Sequence, residues 1–234
     1  MKHIASALLS PLLLAQGVVT RATTLKLPEP PGARAGHAAG GQRLRLLIAG
    51  DSSAAGVGTA HQDQALAGRL TKMLEQHHAL DWRLEAKTGV TTKTTIKRLS
   101  NLPPQPFDIA LTSLGVNDVT SHRGVKPWLD DQQQLRQLLR QKFGVSMMII
   151  CGLPPVHGFP ALPQPLRWHL GWRASLFDQT LQETLSLEPD THFLSLRFTE
   201  DPDTMAEDGF HPGPRVYQEW ARRAFEVIAR HWPH

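Results

Sequence analysis

The chain has 234 residues, 41% of them hydrophobic, a net charge of +4 at pH 7 and one cysteine. That length and apolar content suit one sizeable α/β domain, and a lone cysteine, Cys151, excludes an intramolecular disulfide. The basic residues are scattered among 21 acids with no Lys/Arg-rich run, which argues against a nucleic-acid partner.

Lys2 and His3 precede an apolar stretch from Ile4 to Val19, broken at Ser10-Pro11 and Gln16-Gly17. A basic start and a short apolar middle suit a secretory signal, but Arg21 stands where small residues are expected at a cleavage site. The run is also too short and too broken for a spanning helix. Three readings stay open: a cleaved signal, an interfacial helix touching a membrane surface through residues 4–19, or a helix packed on the domain. Localisation follows the same split, periplasmic or membrane-associated if residues 1–22 act as signal or anchor, cytoplasmic otherwise. Pro28 to Gly41 is rich in Pro and Gly and reads as a linker. The expected organisation is an N-terminal segment with linker over 1–41 and one domain over 42–234.

Within the domain, the apolar run from Leu44 to Gly50 predicts a buried strand, followed by a small-residue loop through Gly58. Leu66, Leu70, Met73 and Leu74 lie at helical spacing within 62–78, and Trp82 to Ala86 alternates as a strand, completing a βαβ unit. Thr91 to Leu99 predicts a short helix, stopped by Pro103, Pro104 and Pro106. Phe107 to Leu114 reads as a strand, Lys126 to Phe143 as a helix ended by Gly144, and Val145 to Cys151 as the next strand. Leu153 to Leu166 carries five prolines and must be a loop long enough to shape a binding site. Trp168 to Leu187, His192 to Leu196 and Pro212 to Ile228 close the pattern as helix, strand and helix. Five strands alternating with helices predict a three-layer, doubly wound α/β sandwich with a five-stranded parallel sheet.

In such a sheet, loops at the carboxyl ends of the strands meet, and Ser52, Gly89 and Asn117 each follow a strand. Ser52 alone would more often be a helix cap. Its setting, Gly50-Asp51-Ser52, is followed in order by Gly89 in KTGVT, by Gly115 to Asp118 in SLGVNDV, and by Asp208 to His211 in EDGFHPG. These segments match the four blocks of the SGNH (GDSL-type) hydrolases, and from Leu44 to the C-terminus the chain resembles that family. The resemblance implies a flavodoxin-like strand order of 2-1-3-4-5. It departs from the common pattern at Ser53, where the GDSL form often has Leu.

The resemblance casts Ser52, His211 and Asp208 as a catalytic triad, and chemistry supports the assignment. A serine hydroxyl needs a base to attack at neutral pH, and a carboxylate three residues before a histidine can fix its tautomer and steady the imidazolium. Pro212 suits the first turn of the closing helix. The backbone N–H groups of Ser52 and Gly89 and the side-chain amide of Asn117 supply three donors for an oxyanion. Asp51 is read as a structural hydrogen-bonding group.

The blocks look most like bacterial arylesterases and lysophospholipase-like esterases, which implies small-molecule or lipid-like carboxylic esters as substrates and an acyl-enzyme pathway. Phe159, Leu162, Trp168 and Trp172 are candidates for lining an acyl groove. Trp168 and Trp172, four apart, equally suit a helix packed on the core. A carbohydrate O-deacetylase on the same fold is the alternative. A nucleotide-binding module is disfavoured because Gly56-Val57-Gly58 lacks the third glycine of a dinucleotide fingerprint, and a non-catalytic binding module because Ser52, Asp208, His211, Gly89 and Asn117 are all intact. No cofactor is expected and no metal, since the histidines form no H-E-x-x-H cluster. The oligomeric state is not legible.

Overall fold

In the computed structural model, residues 6, 8–121, 123–198 and 202–232 are described. Residues 1–5 of the N-terminal apolar segment and residue 7 fall outside them.

Leu44 to Gly50 is buried almost throughout, as a strand covered on both faces must be. It forms β2 (Gln42–Gly50), flanked in parallel by β3 (His78–Ala86) and β4 (Ile109–Ser113). β5 (Met147–Cys151) and β6 (Thr191–Leu194) continue the parallel array. The order of the five parallel strands, β3-β2-β4-β5-β6, is the 2-1-3-4-5 winding that the resemblance implies.

A sixth strand departs from the expected count. β1 (Ala35–Ala38) lies within the stretch read as a linker and pairs antiparallel with β3, from Ala35 opposite Arg83 to Ala38 opposite Leu80. The sheet is therefore mixed and six-stranded. An edge strand this short and poor in large side chains leaves almost no periodic signal, which is why the sequence pattern did not show it.

Alternating side chains of the strands feed two cores. Leu47, Ala49, Ala110, Met148 and Ile150 face α3 (Thr92–Ser100), α5 (Val125–Phe143) and α6 (Leu166–Leu185), whose Leu99, Trp128, Leu139, Phe177 and Leu181 are buried against them. Leu46, Ile48, Leu111 and Ile149 face α2 (Leu66–Leu74) and α7 (Pro214–His231), which contribute Leu66, Leu70, Trp220 and Ala224. Gly144 ends α5 in the left-handed conformation expected of a helix stop. The short α4 (Val116–Thr120), not anticipated as a helix, follows β4 directly.

The N-terminal helix α1 (Ser10–Thr23) lies on the domain. Leu13 is buried in the first core, while Gln16 donates to the carbonyl of Gln164 at 2.8 Å and accepts from the backbone N–H of Leu166 at 3.1 Å. Its other apolar residues, Leu12, Leu14, Val18 and Val19, are exposed. Among the described residues no helix is long and apolar enough to cross a membrane.

Candidate active site

The carboxyl end of β2 delivers Ser52. Asp51 N–H donates to the carbonyl of Ser113 at 3.1 Å, tying the strand end to β4, and Ala55 N–H and Val57 N–H turn back to the carbonyls of Asp51 and Ser52. The loop beyond is fastened from two sides: Gln62 Nε2 donates to the Ala55 carbonyl at 2.8 Å, and the Tyr217 hydroxyl on α7 donates to the Val57 carbonyl at 2.7 Å. Gly58, at φ +99°, sits where a Cβ would run into the carbonyl of Pro212. Only glycine lets the serine loop and the histidine loop approach this closely.

Ser52 Oγ is 2.8 Å from His211 Nε2, and His211 Nδ1 is 2.5 Å from Asp208 Oδ2. The other carboxylate oxygen, Asp208 Oδ1, accepts from the backbone N–H of Phe210 at 3.0 Å and of His211 at 2.9 Å. Burial pushes the Asp208 carboxyl up, but the bonds from the His211 ring and the two N–H groups outweigh it and hold the group below the ordinary carboxylate range. His211 lies ahead of the closing helix rather than in its first turn. α7 starts at Pro214 with Gly213 as its cap, and Pro212 forms an isolated bridge with Met205.

Gly89 is exposed at φ +80°, in a turn after β3 in which Lys87 N–H donates to the Gly50 carbonyl. Asn117, in the first turn of α4, donates from Nδ2 to the carbonyl of Val90 at 3.0 Å, so the Gly89 turn and the Asn117 side chain are joined. Its neighbour Asp118 is fully buried and accepts from the N–H and hydroxyl of Thr92 at 3.0 and 2.9 Å, locking α4 to α3.

An element that sequence reasoning missed supports the same turn. Glu29, in the supposed linker, accepts from the N–H of Thr88 at 2.6 Å and from its hydroxyl at 2.8 Å, and pairs with Arg34 at 3.0 Å. Arg34 also donates to the carbonyl of Ala86. Burial raises the Glu29 carboxyl, but these bonds prevail and hold it below its usual range. Nothing in the local pattern around Glu29 marks it, because its partners lie in another segment.

A small cavity of about 40 Å³ adjoins the serine, bounded by Ser52, Asn117, Leu153, Phe159, Met205 and Phe210 among others. Of the four residues expected to line an acyl groove, Phe159 alone borders this cavity. Leu162 is buried in the first core, and Trp168 and Trp172 are half-buried on α6 and do not border the cavity. Phe210 escaped the sequence reading although its place beside His211 was a usable signal.

A serine at a strand's carboxyl end, hydrogen-bonded to a histidine that a buried carboxylate orients, defines a serine-hydrolase type of site on a doubly wound fold. A family model described as GDSL-like lipase/acylhydrolase matches residues 48–219. The chain belongs to that family. It is 27% identical over 185 residues to the GDSL-like esterase Rv1075c of Mycobacterium tuberculosis, a match spanning 74% of this chain and 58% of the relative. Among solved structures, a lipolytic G-D-S-L family protein from Veillonella parvula aligns with a TM-score of 0.64 at 16% identity, over 80% of this chain and 99% of that one. Est24, a carbohydrate acetylesterase from Sinorhizobium meliloti, aligns with a TM-score of 0.62 at 16% identity, over 80% and 99% of the two chains. At such identities these structures speak for the fold.

Proposed function

We propose that the protein hydrolyses small-molecule carboxylic esters through an acyl-enzyme formed on Ser52. The observation that carries this reading is the unbroken relay from Ser52 Oγ to His211 Nε2 at 2.8 Å and from His211 Nδ1 to Asp208 at 2.5 Å. His211 takes the hydroxyl proton as Ser52 Oγ attacks the ester carbonyl, and the buried Asp208 carboxylate steadies the imidazolium. The oxyanion is met by the backbone N–H groups of Ser52 and Gly89 and by Asn117 Nδ2. His211 then returns the proton to the departing alkoxide, and in the second half it takes a proton from water as that water attacks the acyl-serine.

The test compares the full chain with its Ser52→Ala variant on p-nitrophenyl acetate. The variant is expected to lose at least about 10³-fold in kcat, and a fluorophosphonate is expected to add its mass to Ser52 in the parent alone. Equal turnover by parent and variant would sink the assignment.

A further inference from the structure

Resting on the ester-hydrolase reading of Ser52, we propose that the enzyme is selective for short acyl groups, of about two to four carbons, and that Phe159 sets the limit. The cavity beside Ser52 measures about 40 Å³. One water needs about 10–15 Å³ of such space, so the cavity takes roughly three non-hydrogen atoms. Leu114, Leu153, Pro154, Phe159 and Phe210 make its lining mainly apolar, beside the polar Asp51, Ser53, Ser113 and Asn117, which suits a short hydrocarbon chain better than a charged group.

The orientation of the ester follows from which catalytic groups face the cavity. Ser52 and Asn117 border it, whereas His211 does not. The leaving group receives its proton from His211 and therefore departs on the histidine side. What enters the cavity is the acyl chain.

Phe159 forms a nearly buried wall of this cavity. Phe159 is 4% exposed and stands edge-on to Phe210, with ring centroids 5.1 Å apart and planes at 76°. Its loop is tied to the loop of His211 by the N–H of Ala161 donating to the Gly209 carbonyl at 3.1 Å. Arg167 holds the same loop from below, donating to the carbonyls of Leu162 at 2.6 Å and Pro160 at 3.2 Å. Phe210 in turn is placed by its own N–H bond to Asp208. A longer chain has to displace Phe159 and break this fastening. Phe159 is the wall that can be trimmed without touching any bond of the triad.

The experiment measures kcat/KM for p-nitrophenyl acetate, butyrate, octanoate and laurate with the parent, Phe159→Ala and Phe159→Leu, using Ser52→Ala as the blank. The parent is expected to fall by about 50-fold or more between butyrate and octanoate, and Phe159→Ala to raise the octanoate-to-acetate ratio by about tenfold or more, with Phe159→Leu between them. Should the alanine variant fail to fold, the leucine variant decides. A parent profile that is flat or rises to octanoate, with turnover still dependent on Ser52, overturns the inference and leaves the esterase reading standing. Unchanged profiles in folded Phe159 variants overturn the role of Phe159. No Ser52-dependent turnover on any ester overturns the reading itself, and the inference with it.

Discussion

The amide of Asn117 stands between the carbonyl of Val90 and the carboxyl of Asp51, with Nδ2 at 3.0 Å from the first and 3.4 Å from the second. Both of its hydrogens therefore have an acceptor. The bond to Val90 is of ordinary length and fixes which end of the amide faces the site, whereas the contact to Asp51 is long and weak. In the proposed mechanism the hydrogen pointing at Asp51 is the one that would turn to a developing oxyanion.

On this geometry Asn117→Ala lowers kcat for p-nitrophenyl acetate by about 10²–10³-fold while KM changes by less than about threefold. Asn117→Asp loses at least as much, because it offers no N–H and sets a second carboxylate against Asp51. Steady-state kinetics of the two variants decide the matter: parental kcat in Asn117→Ala would remove Asn117 from the oxyanion site.

Asp51 gives a pH signature. Burial pushes its carboxyl up from 3.8 to about 7, against the pull of the Ser53 N–H and of nearby His211. A carboxyl raised on folding binds its proton more tightly in the folded chain than in the unfolded one, so its contribution is fully present below about pH 4 and is lost as pH rises through about 7. Asp51→Asn cannot ionise and escapes this loss. In urea unfolding, its stability relative to the parent is expected to climb between pH 4 and 7, by at most about 4 kcal/mol, and then level off. Asn117 sets the baseline offset between the two proteins, since it then faces an amide, but not the slope. Parallel curves across this range would show that Asp51 does not titrate there.

Glu29 is expected to act on kcat through the Gly89 turn. Glu29→Ala frees the N–H and hydroxyl of Thr88, one residue before the proposed oxyanion donor, and is predicted to lower kcat about tenfold with KM nearly constant. Glu29→Gln retains an acceptor for Thr88 and is predicted to recover most of the loss. A merely structural role would lower thermal stability in both variants without separating kcat from KM.

Much of this was legible because the chemistry is local. Asp208 and His211 are three apart, and Ser52 follows an apolar run, so the proposed triad could be assembled from short segments once the sheet rule brought their loops together. The second half of β2 and all of β5 are apolar runs and therefore loud. What stayed hidden was written in pairs of distant residues. β1 exists because β3 accepts it as a partner, and Glu29 matters because Thr88 lies opposite. Which of the groove candidates would border the cavity beside Ser52 was hidden for a related reason: spacing puts Trp168 and Trp172 on one helical face, but says nothing about whether that face or the proline-rich loop reaches the serine. Phe159 lines the cavity because the loop that carries it is bonded to Gly209.

The segment from Glu29 to Ala38 fixes how far the chain can be trimmed from its front. Helix α1 is held chiefly through Leu13 and Gln16, and its removal would uncover a modest area. Past Glu29 the situation changes, because Pro30 and Pro31 accept bonds from Gln62, and β1 covers the outer edge of β3. Proteolysis that reached residue 41 would bare the Leu80 to Arg83 edge of β3 with its unpaired N–H and carbonyl groups, the kind of edge on which sheets of neighbouring molecules zip together. One short segment thus both shields the outer edge of β3, through Ala35 to Ala38, and holds the Thr88 turn, through Glu29.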